Sequence, residues 1–311
     1  MKHHVLVTGG AGFIGSVLVP KLLAEGHAVT VFDNLMFGPP ESLFGCFKKK
    51  NFNFVVGDVR DSSALKLAAG PATCVVHLAA WVGYPICKKD PVEAARVNFS
   101  GTANALACVD KKTPFIFTST GSSYGNVEEI CREDSPLNPL TVYGKTKARA
   151  EEIINVRGDA VIFRYATGAG VSPRMRLDLL VNDFCYRALK ERNLVIYERK
   201  FKRSFINVED MARAIIWAID NYNALKGETF NIGNPAMNLS KEDVAEALKK
   251  RIDFYCHYAD FEKDEDQRNY EVDYSKASRA GFAVLTTFDE TVDELLSLFK
   301  AFEVRRPFCN V

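Results

Sequence analysis

Residues 5–20 read VLVTGGAGFIGSVLVP, an apolar run that leads directly into a glycine-rich turn. Gly9, Gly12 and Gly15 stand between a strand pattern and a helical pattern. At such a junction one glycine permits a sharp turn, another lets a pyrophosphate approach the backbone, and the third lets helix and strand pack closely. The stretch therefore predicts a dinucleotide-binding turn that faces a helix N-terminus. Because the spacing matches G-x-x-G-x-x-G from Gly9 and G-x-G-x-x-G from Gly10, the glycines alone assign no subfamily.

Apolar runs of strand length recur along the first three quarters of the chain. They are HVLVT (4–8), AVTVFD (28–33), FNFVVGD (52–58), CVVHLA (74–79), FIFTST (115–120), AVIFRY (160–165) and TFNIG (229–233). Helical patterns lie between most of them, at 12–25, 61–69, 91–109 and 143–157. Continuous Val/Ile/Phe runs that alternate with helices are typical of strands buried on both faces. The pattern predicts an α/β fold, a doubly wound parallel (Rossmann) sheet with ligands at the carboxyl ends of its strands.

The alternation loosens after about residue 170, and a last amphipathic helix is expected at 289–302. No linker rich in Pro, Gly or Ser separates the two parts. We expect a dinucleotide-binding domain at 1–169, with 204–235 returning to it. A smaller C-terminal substrate lobe is expected from 170–203 and 236–311.

Composition narrows the classes of function. Among 311 residues, 40 Lys and Arg face 39 Asp and Glu, for a net charge of +1, without the basic excess of a nucleic-acid binder. No apolar stretch reaches the roughly 18 residues of a membrane helix, and the N-terminus lacks the pattern of a signal peptide. The eight cysteines form no C-x-x-C pair, and the five histidines show no ligand spacing. We expect a cytoplasmic protein with reduced thiols, no metal site, and no nucleic-acid or membrane partner.

Acidic residues follow the second and third strand patterns. Asp33 ends the run VFD, where a carboxylate accepts hydrogen bonds from the adenosine ribose and repels a 2′-phosphate. This favours NAD over NADP. Asp58 and Val59, in GDVRD, are expected to flank the adenine.

A phenol and an ammonium are predicted on one helix face. Tyr143 and Lys147, in VYGKTK, lie one helical turn apart, and a nearby cation favours the phenolate. Such a tyrosine can take the proton of a substrate hydroxyl while NAD oxidises the same carbon. The hydroxyl cluster TSTGSSYG (118–125), at the end of the fifth strand pattern, is expected beside it.

Together these motifs resemble the extended short-chain dehydrogenase/reductase family, the NAD-dependent epimerase/dehydratases that act on nucleotide sugars. The resemblance runs nearly end to end, through TGGAGFIG, Asp33, GDVRD, HLAA, VNFSGT, STGSSYG, YGKTK, FRYATG, RSFINVED, FNIG and QRNYEVD. It implies NAD in the larger lobe, a nucleotide-diphosphate sugar under the smaller one, and a 4-keto sugar intermediate. It also implies a homodimer formed by the helices at 91–109 and 143–157.

The resemblance implies the roles of individual residues. The catalytic hydroxyl is Thr120, four residues before the tyrosine of the Y-G pair, with Ser122 as the alternative; Tyr143 is the base and Lys147 its partner. Cofactor contacts are implied for Gly9, Gly12, Phe13, Ile14, Gly15, Asp33, Asn34, Asp58, Val59, His77, Leu78, Ala79, Ala80, Tyr143 and Lys147. Substrate contacts are implied for Ser122, Asn182, Arg203 and Arg268. Arg164 either faces the site or forms an ion pair between the lobes.

Departures from the family pattern limit the net reaction. Gly121 and Ser122 stand where the family's 4,6-dehydratases carry Asp-Glu, so elimination of water is disfavoured. The segment SPRMRLDLLVNDF (172–184) is similar to a bacterial subgroup that oxidises nucleotide-linked hexoses or heptoses at carbon 4. Net 4-epimerisation is the expected function. The alternatives are a 4-dehydrogenase that releases the 4-keto sugar and, further away, a 4,6-dehydratase or a non-catalytic NAD-binding protein.

Overall fold

The computed structural model describes residues 2–259 and 270–302. The strands in these ranges are β1 (His4–Thr8), β2 (Ala28–Asp33), β3 (Phe52–Val56), β4 (Cys74–His77), β5 (Phe115–Thr120), β6 (Val161–Tyr165), β7 (Thr167–Ala169), β8 (Asn193–Tyr197), β9 (Lys202–Asn207), β10 (Thr229–Ile232), β11 (Asn238–Ser240) and β12 (Tyr255–Ala259). The helices are α1 (Gly15–Ala24), α2 (Ser62–Ala69), α3 (Tyr84–Lys89), α4 (Pro91–Ala95), α5 (Gly101–Ala107), α6 (Val142–Arg157), α7 (Leu180–Lys190), α8 (Val208–Asp220), α9 (Tyr222–Leu225), α10 (Lys241–Lys249), α11 (Ser275–Arg279) and α12 (Phe288–Ala301).

Seven of these strands form one parallel sheet in the order β10-β6-β5-β4-β1-β2-β3. The chain runs outward from β1 through β2 to β3, then crosses back to β4 on the other side of β1. This reversal opens a crevice at the carboxyl ends of β1 and β4, where ligands bind in doubly wound sheets. The predicted fold class is therefore confirmed.

Two smaller sheets lie beside the large one. In the first, β9 pairs with β7 in parallel and with β11 antiparallel; in the second, β8 and β12 are parallel. Helices α7, α10 and α12 cover them through a separate apolar cluster that includes Val181, Phe184, Leu248, Leu295 and Phe299. The domain boundaries expected from the sequence remain a prediction.

Two predicted helices differ in their bounds. The helix expected at 12–25 begins at Gly15, because residues 9–14 are used in the turn, where the Gly12 N–H donates to the Gly9 carbonyl at 3.1 Å. The helix expected at 91–109 is divided into α4, a π-helical turn at Arg96–Ser100, and α5. The side chain of Asn98, in that turn, accepts from Trp81 N–H at 2.7 Å and donates to the Trp81 carbonyl at 3.0 Å. The irregular turn thus fixes Trp81 at the cavity described below.

The turn after β1 leaves no room for a side chain at Gly9 or at Gly15. Gly9 has φ +70°, and a Cβ added to it would lie 2.7 Å from Ala79 backbone atoms. A Cβ on Gly15 would lie 2.4 Å from the Gly10 carbonyl oxygen. Close backbone contact between turn, strand and helix is the reason for both glycines.

We expect Gly15→Ala to lower the free energy of unfolding by about 1–3 kcal/mol, because the turn backbone must move to admit the methyl group. Urea denaturation measures the change. Gly45→Ala is the matched control, since a Cβ there would meet no atom within 4 Å. It should leave the stability within about 0.5 kcal/mol of the parent. Equal stability of the two variants would contradict the packing argument.

Candidate active site

A cavity of about 1370 Å³ lies at the carboxyl ends of the sheet strands and extends under the smaller sheets. Its wall contains residues of the glycine turn, of the ends of β2, β4 and β5, and of the lobe. Most of the residues expected to bind cofactor or substrate line it: Gly9, Gly12, Phe13, Ile14, Gly15, Asp33, Asn34, Val59, Leu78, Ala79, Ala80, Thr120, Ser122, Tyr143, Lys147 and Arg203. Their contacts with ligands remain predictions.

The glycine turn and Asp33 provide a set of groups suited to a dinucleotide. Within the described ranges, the amide N–H groups of Phe13 and Ile14 donate to no backbone oxygen, so both are available at the N-terminus of α1. The Asp33 carboxylate accepts from Ala11 N–H at 3.0 Å and Leu35 N–H at 2.9 Å. Burial raises the pKa of Asp33, and these two hydrogen bonds oppose that rise. A narrow backbone cradle with free donors beside a fixed carboxylate fits NAD.

Asp58 is not brought to the cavity wall. Its carboxylate accepts from Asn34 Nδ2 at 2.8 Å and from the Arg60 guanidinium, which lowers the pKa of Asp58 to about 2. Asn34 does line the cavity, so Asp58 acts here by holding Asn34. The adenine contacts expected of Asp58 and Val59 remain predictions; of the two residues, Val59 lines the cavity.

Tyr143 and Lys147 reach the cavity from the first turns of α6. Thr141 precedes the helix, and its hydroxyl accepts from Gly144 N–H at 3.1 Å. The Lys147 side chain is buried, with Nζ 3.9 Å from the Phe117 ring centroid. Burial lowers the pKa of Lys147 to about 7, and the Glu151 carboxylate opposes this. The Glu151 carboxylate and the Phe117 ring thus favour the protonated, charged form of Lys147, whereas burial disfavours it.

The hydroxyl groups of Thr120 and Ser122 lie next to each other at the end of β5. Thr120 Oγ1 donates to Ser122 Oγ at 3.0 Å and accepts from Ser122 N–H at 3.1 Å. Both hydroxyls line the cavity with Tyr143 and Lys147. The choice between the two as donor to a reacting oxygen remains open on this geometry.

A buried ion pair lies behind Lys147. Glu151, one helical turn further along α6, accepts from the Ser119 hydroxyl and from Arg164 Nη2 at 2.8 Å and Nε at 3.0 Å. Arg164 Nη1 also donates to the Tyr124 hydroxyl at 3.0 Å. Arg164 therefore pairs within the large-sheet part of the chain, rather than across the lobes. The network connects β5, β6 and α6. Since β5 carries Thr120 and α6 carries Lys147, it holds these two site residues in position.

The structure places two other expected residues away from the cavity wall. His77 bonds to Thr8 and Thr102 in the sheet interior, and burial lowers its pKa to about 3, so it is a neutral structural group and not a lining residue. Asn182 is fully buried and holds the backbone of Gly170 and Arg176, so its amide is directed into the wall. Arg268 lies outside the described residues.

The structure adds residues that spacing did not single out. Arg174 and Arg176 line the cavity, although both lie in a segment with no recognisable period. Arg176 is paired with Asp178 at 2.5 Å, whereas Arg174 stacks on Phe37. The sequence marked this segment only through the resemblance of residues 172–184 to a bacterial subgroup, which assigned no role to either arginine.

Comparison with known proteins decides the family. The sequence model of the NAD dependent epimerase/dehydratase family matches residues 5–233. The chain belongs to this family. Enzymes of this family depend on NAD, which confirms the expected cofactor and the expected class of enzyme.

Individual members of the NAD-dependent epimerase/dehydratase family differ in length and reaction. UDP-glucuronic acid decarboxylase 1 of Arabidopsis thaliana is 29% identical over 81% of the chain, which spans only 59% of that protein's length. A putative UDP-glucose 4-epimerase of Methanocaldococcus jannaschii is 29% identical over 95% of the chain and 98% of its own length. The crystal structure of UDP-glucuronic acid 4-epimerase from Bacillus cereus, in complex with UDP-glucuronic acid and NAD, has TM-score 0.85 and 26% identity, and covers 97% of this chain and 99% of that one.

The described ranges contain neither a membrane-spanning helix nor a candidate metal cluster. Within residues 2–259 and 270–302, no helix is long and apolar enough to cross a membrane. The same ranges hold no group of three or more His, Cys, Asp or Glu side chains arranged to bind a metal ion.

Glu151→Gln should lower the free energy of unfolding by about 3 kcal/mol, because it leaves the buried Arg164 guanidinium without its carboxylate. Urea denaturation again gives the measurement. Glu152→Gln removes a carboxylate from the neighbouring, exposed position, and should change stability by less than about 0.5 kcal/mol. If both variants unfold at the same urea concentration, the ion pair does not stabilise the fold.

Proposed function

We propose that the protein catalyses NAD-dependent oxidation and reduction at carbon 4 of a nucleotide-diphosphate sugar, with net 4-epimerisation through a 4-keto intermediate. The observation that carries this proposal is the position of Tyr143 and Lys147. They lie in one cavity between a dinucleotide cradle and the arginine-containing lobe. A nucleotide sugar under the lobe would present its sugar at the phenol.

Each residue has a distinct task in this reaction. The Tyr143 phenolate oxygen takes the proton of the 4-hydroxyl as the carbonyl forms, and returns it on reduction. Lys147 stabilises the phenolate by its charge, and Thr120 or Ser122 donates a hydrogen bond to the reacting oxygen. NAD, when bound, would supply the hydride acceptor for oxidation at carbon 4 and, once reduced, the hydride donor for the return step. No external oxidant is consumed, so the reaction balances as an isomerisation.

The lobe supplies the groups for the diphosphate. Arg203 is buried at the wall, and its planar guanidinium suits paired hydrogen bonds to phosphate oxygens. Arg268 stays a proposed second contact from sequence alone. The cavity volume of about 1370 Å³ exceeds the roughly 300–1,000 Å³ of a typical single-ligand pocket. It leaves room for a cofactor together with a 4-keto sugar that rotates to present its other face.

Epimerisation is favoured over release of the ketone by the relatives that span the chain. The M. jannaschii protein and the B. cereus epimerase cover nearly its whole length, and both are named as 4-epimerases. The decarboxylases match over a smaller share of their own length.

We propose a homodimer in the cytoplasm as the working form.

The test is a panel of UDP-, GDP-, dTDP- and CDP-linked sugars, including UDP-glucuronic acid. Absorbance at 340 nm and the product sugars are followed together. We expect interconversion of 4-epimers with no net absorbance change. Accumulating NADH with a free ketone would replace this proposal by a 4-dehydrogenase, and release of carbon dioxide or water would replace it by a decarboxylase or a dehydratase.

Tyr143→Phe should lower kcat with the reactive sugar by about 10²–10⁴-fold, because it removes the proton acceptor. Bound NAD per chain should stay unchanged. Tyr186→Phe removes the same atom from a tyrosine that packs on Phe299 in the lobe core, and should retain full activity. A Tyr143→Phe enzyme as fast as the parent would exclude the phenol as the base.

A further inference from the structure

A buried arginine lines the cavity next to an aromatic ring. Arg174 is 7% exposed, and its guanidinium carbon lies 4.8 Å from the centroid of the Phe37 ring. Both residues line the cavity, but they come from distant parts of the chain. Phe37 follows β2, whereas Arg174 belongs to the connection between β7 and α7. Their contact therefore joins two segments of the cavity wall that are distant in the sequence.

The Arg174 wall is fastened to the dinucleotide turn itself. The Ser172 hydroxyl donates to the Phe13 carbonyl at 2.8 Å and lies 2.8 Å from Ser16 Oγ. The Arg174 N–H lies 3.3 Å from Ser16 Oγ. Because Phe13 and Ser16 flank the start of α1, these bonds hold the backbone at Arg174 against the dinucleotide turn.

The Phe37 wall is also fixed. Leu35 has φ +57°, an uncommon value for a residue with a side chain, and its N–H donates to Asp33 Oδ1. Gly38 follows with φ +114°. This folded loop directs Phe37 against the apolar cluster that contains Ile86 and Cys87. The ring is thus a fixed support for the guanidinium.

Charge distribution indicates the ligand. Burial raises the pKa of Asp33, and Arg174 acts against this rise, which places its charge near the carboxylate. Three more arginines line the cavity: Arg176, which pairs with Asp178, Arg187, which lies 3.7 Å from Asp183, and Arg203 on β9. A dinucleotide brings two negative charges to this half, and the guanidinium fork suits phosphate oxygens.

We propose that Arg174, supported by the Phe37 ring, is a cofactor-binding residue that contacts the pyrophosphate of NAD and closes the cavity over it. The pair retains the cofactor between turnovers. Retention is what a reaction needs when the same cofactor molecule is first reduced and then oxidised. The inference depends on the family's cofactor and not on which sugar reacts.

The experiment measures cofactor binding without any sugar. NAD per chain is determined as purified, and dissociation constants for NAD, ADP-ribose and adenosine are measured on cofactor-stripped protein. For Arg174→Ala we expect at least tenfold weaker binding of NAD and ADP-ribose, less NAD as purified, and unchanged binding of adenosine. Arg174→Lys keeps the charge but loses the planar fork, and should lie between Arg174→Ala and the parent.

Arg187→Ala is the matched control, because Arg187 lines the lobe end of the same cavity. It should bind NAD as the parent does. Circular dichroism and melting temperature confirm that each variant is folded. The proposal is overturned if Arg174→Ala binds NAD within twofold of the parent, or if adenosine binding falls by the same factor as NAD binding. Absence of sugar turnover would leave these results intact, so the two proposals fail separately.

Discussion

Burial of the Lys147 ammonium is the constraint on which the rest of the site depends. A charge so far from water is costly, and burial lowers the pKa of Lys147 to about 7 even with the Glu151 carboxylate acting against it. Two features compensate for this cost: the Phe117 ring beneath Nζ and the Glu151 carboxylate one turn away.

Glu151 is itself held by groups from two strands. Ser119 donates to it from β5, immediately before Thr120, and Arg164 donates to it from β6. Any shift of α6 against the sheet would break these bonds. The same contacts that keep the ammonium charged therefore fix the distance between the hydroxyl at the end of β5 and the phenol on α6.

The sequence predicted the sheet well because its signals are local. Each parallel strand is a continuous apolar run, and the glycines report close backbone contact that only glycine permits. The cavity residues of the turn, of β2 and of α6 follow from the same signals. The resemblance that implied roles for Asn182 and His77 does not show where a side chain points, and in the structure both bond to neighbouring protein groups. Arg174 was missed because its stacking partner lies 137 positions earlier in the chain (174 − 37). Contacts between distant segments depend on the folded shape of both walls, which no local pattern contains.

The edge strand β10 has a consequence for how the molecule is made. Thr229–Ile232 completes the large sheet beside β6, yet it is synthesised only after the chain has built β7, β8 and β9 of the lobe. A ribosome-bound intermediate that stops before β10 would expose the flank of β6 and leave the Tyr124 hydroxyl without Asn231, which accepts from it at 2.6 Å. The strands of the large sheet and of the smaller sheets are thus interleaved in the order of translation.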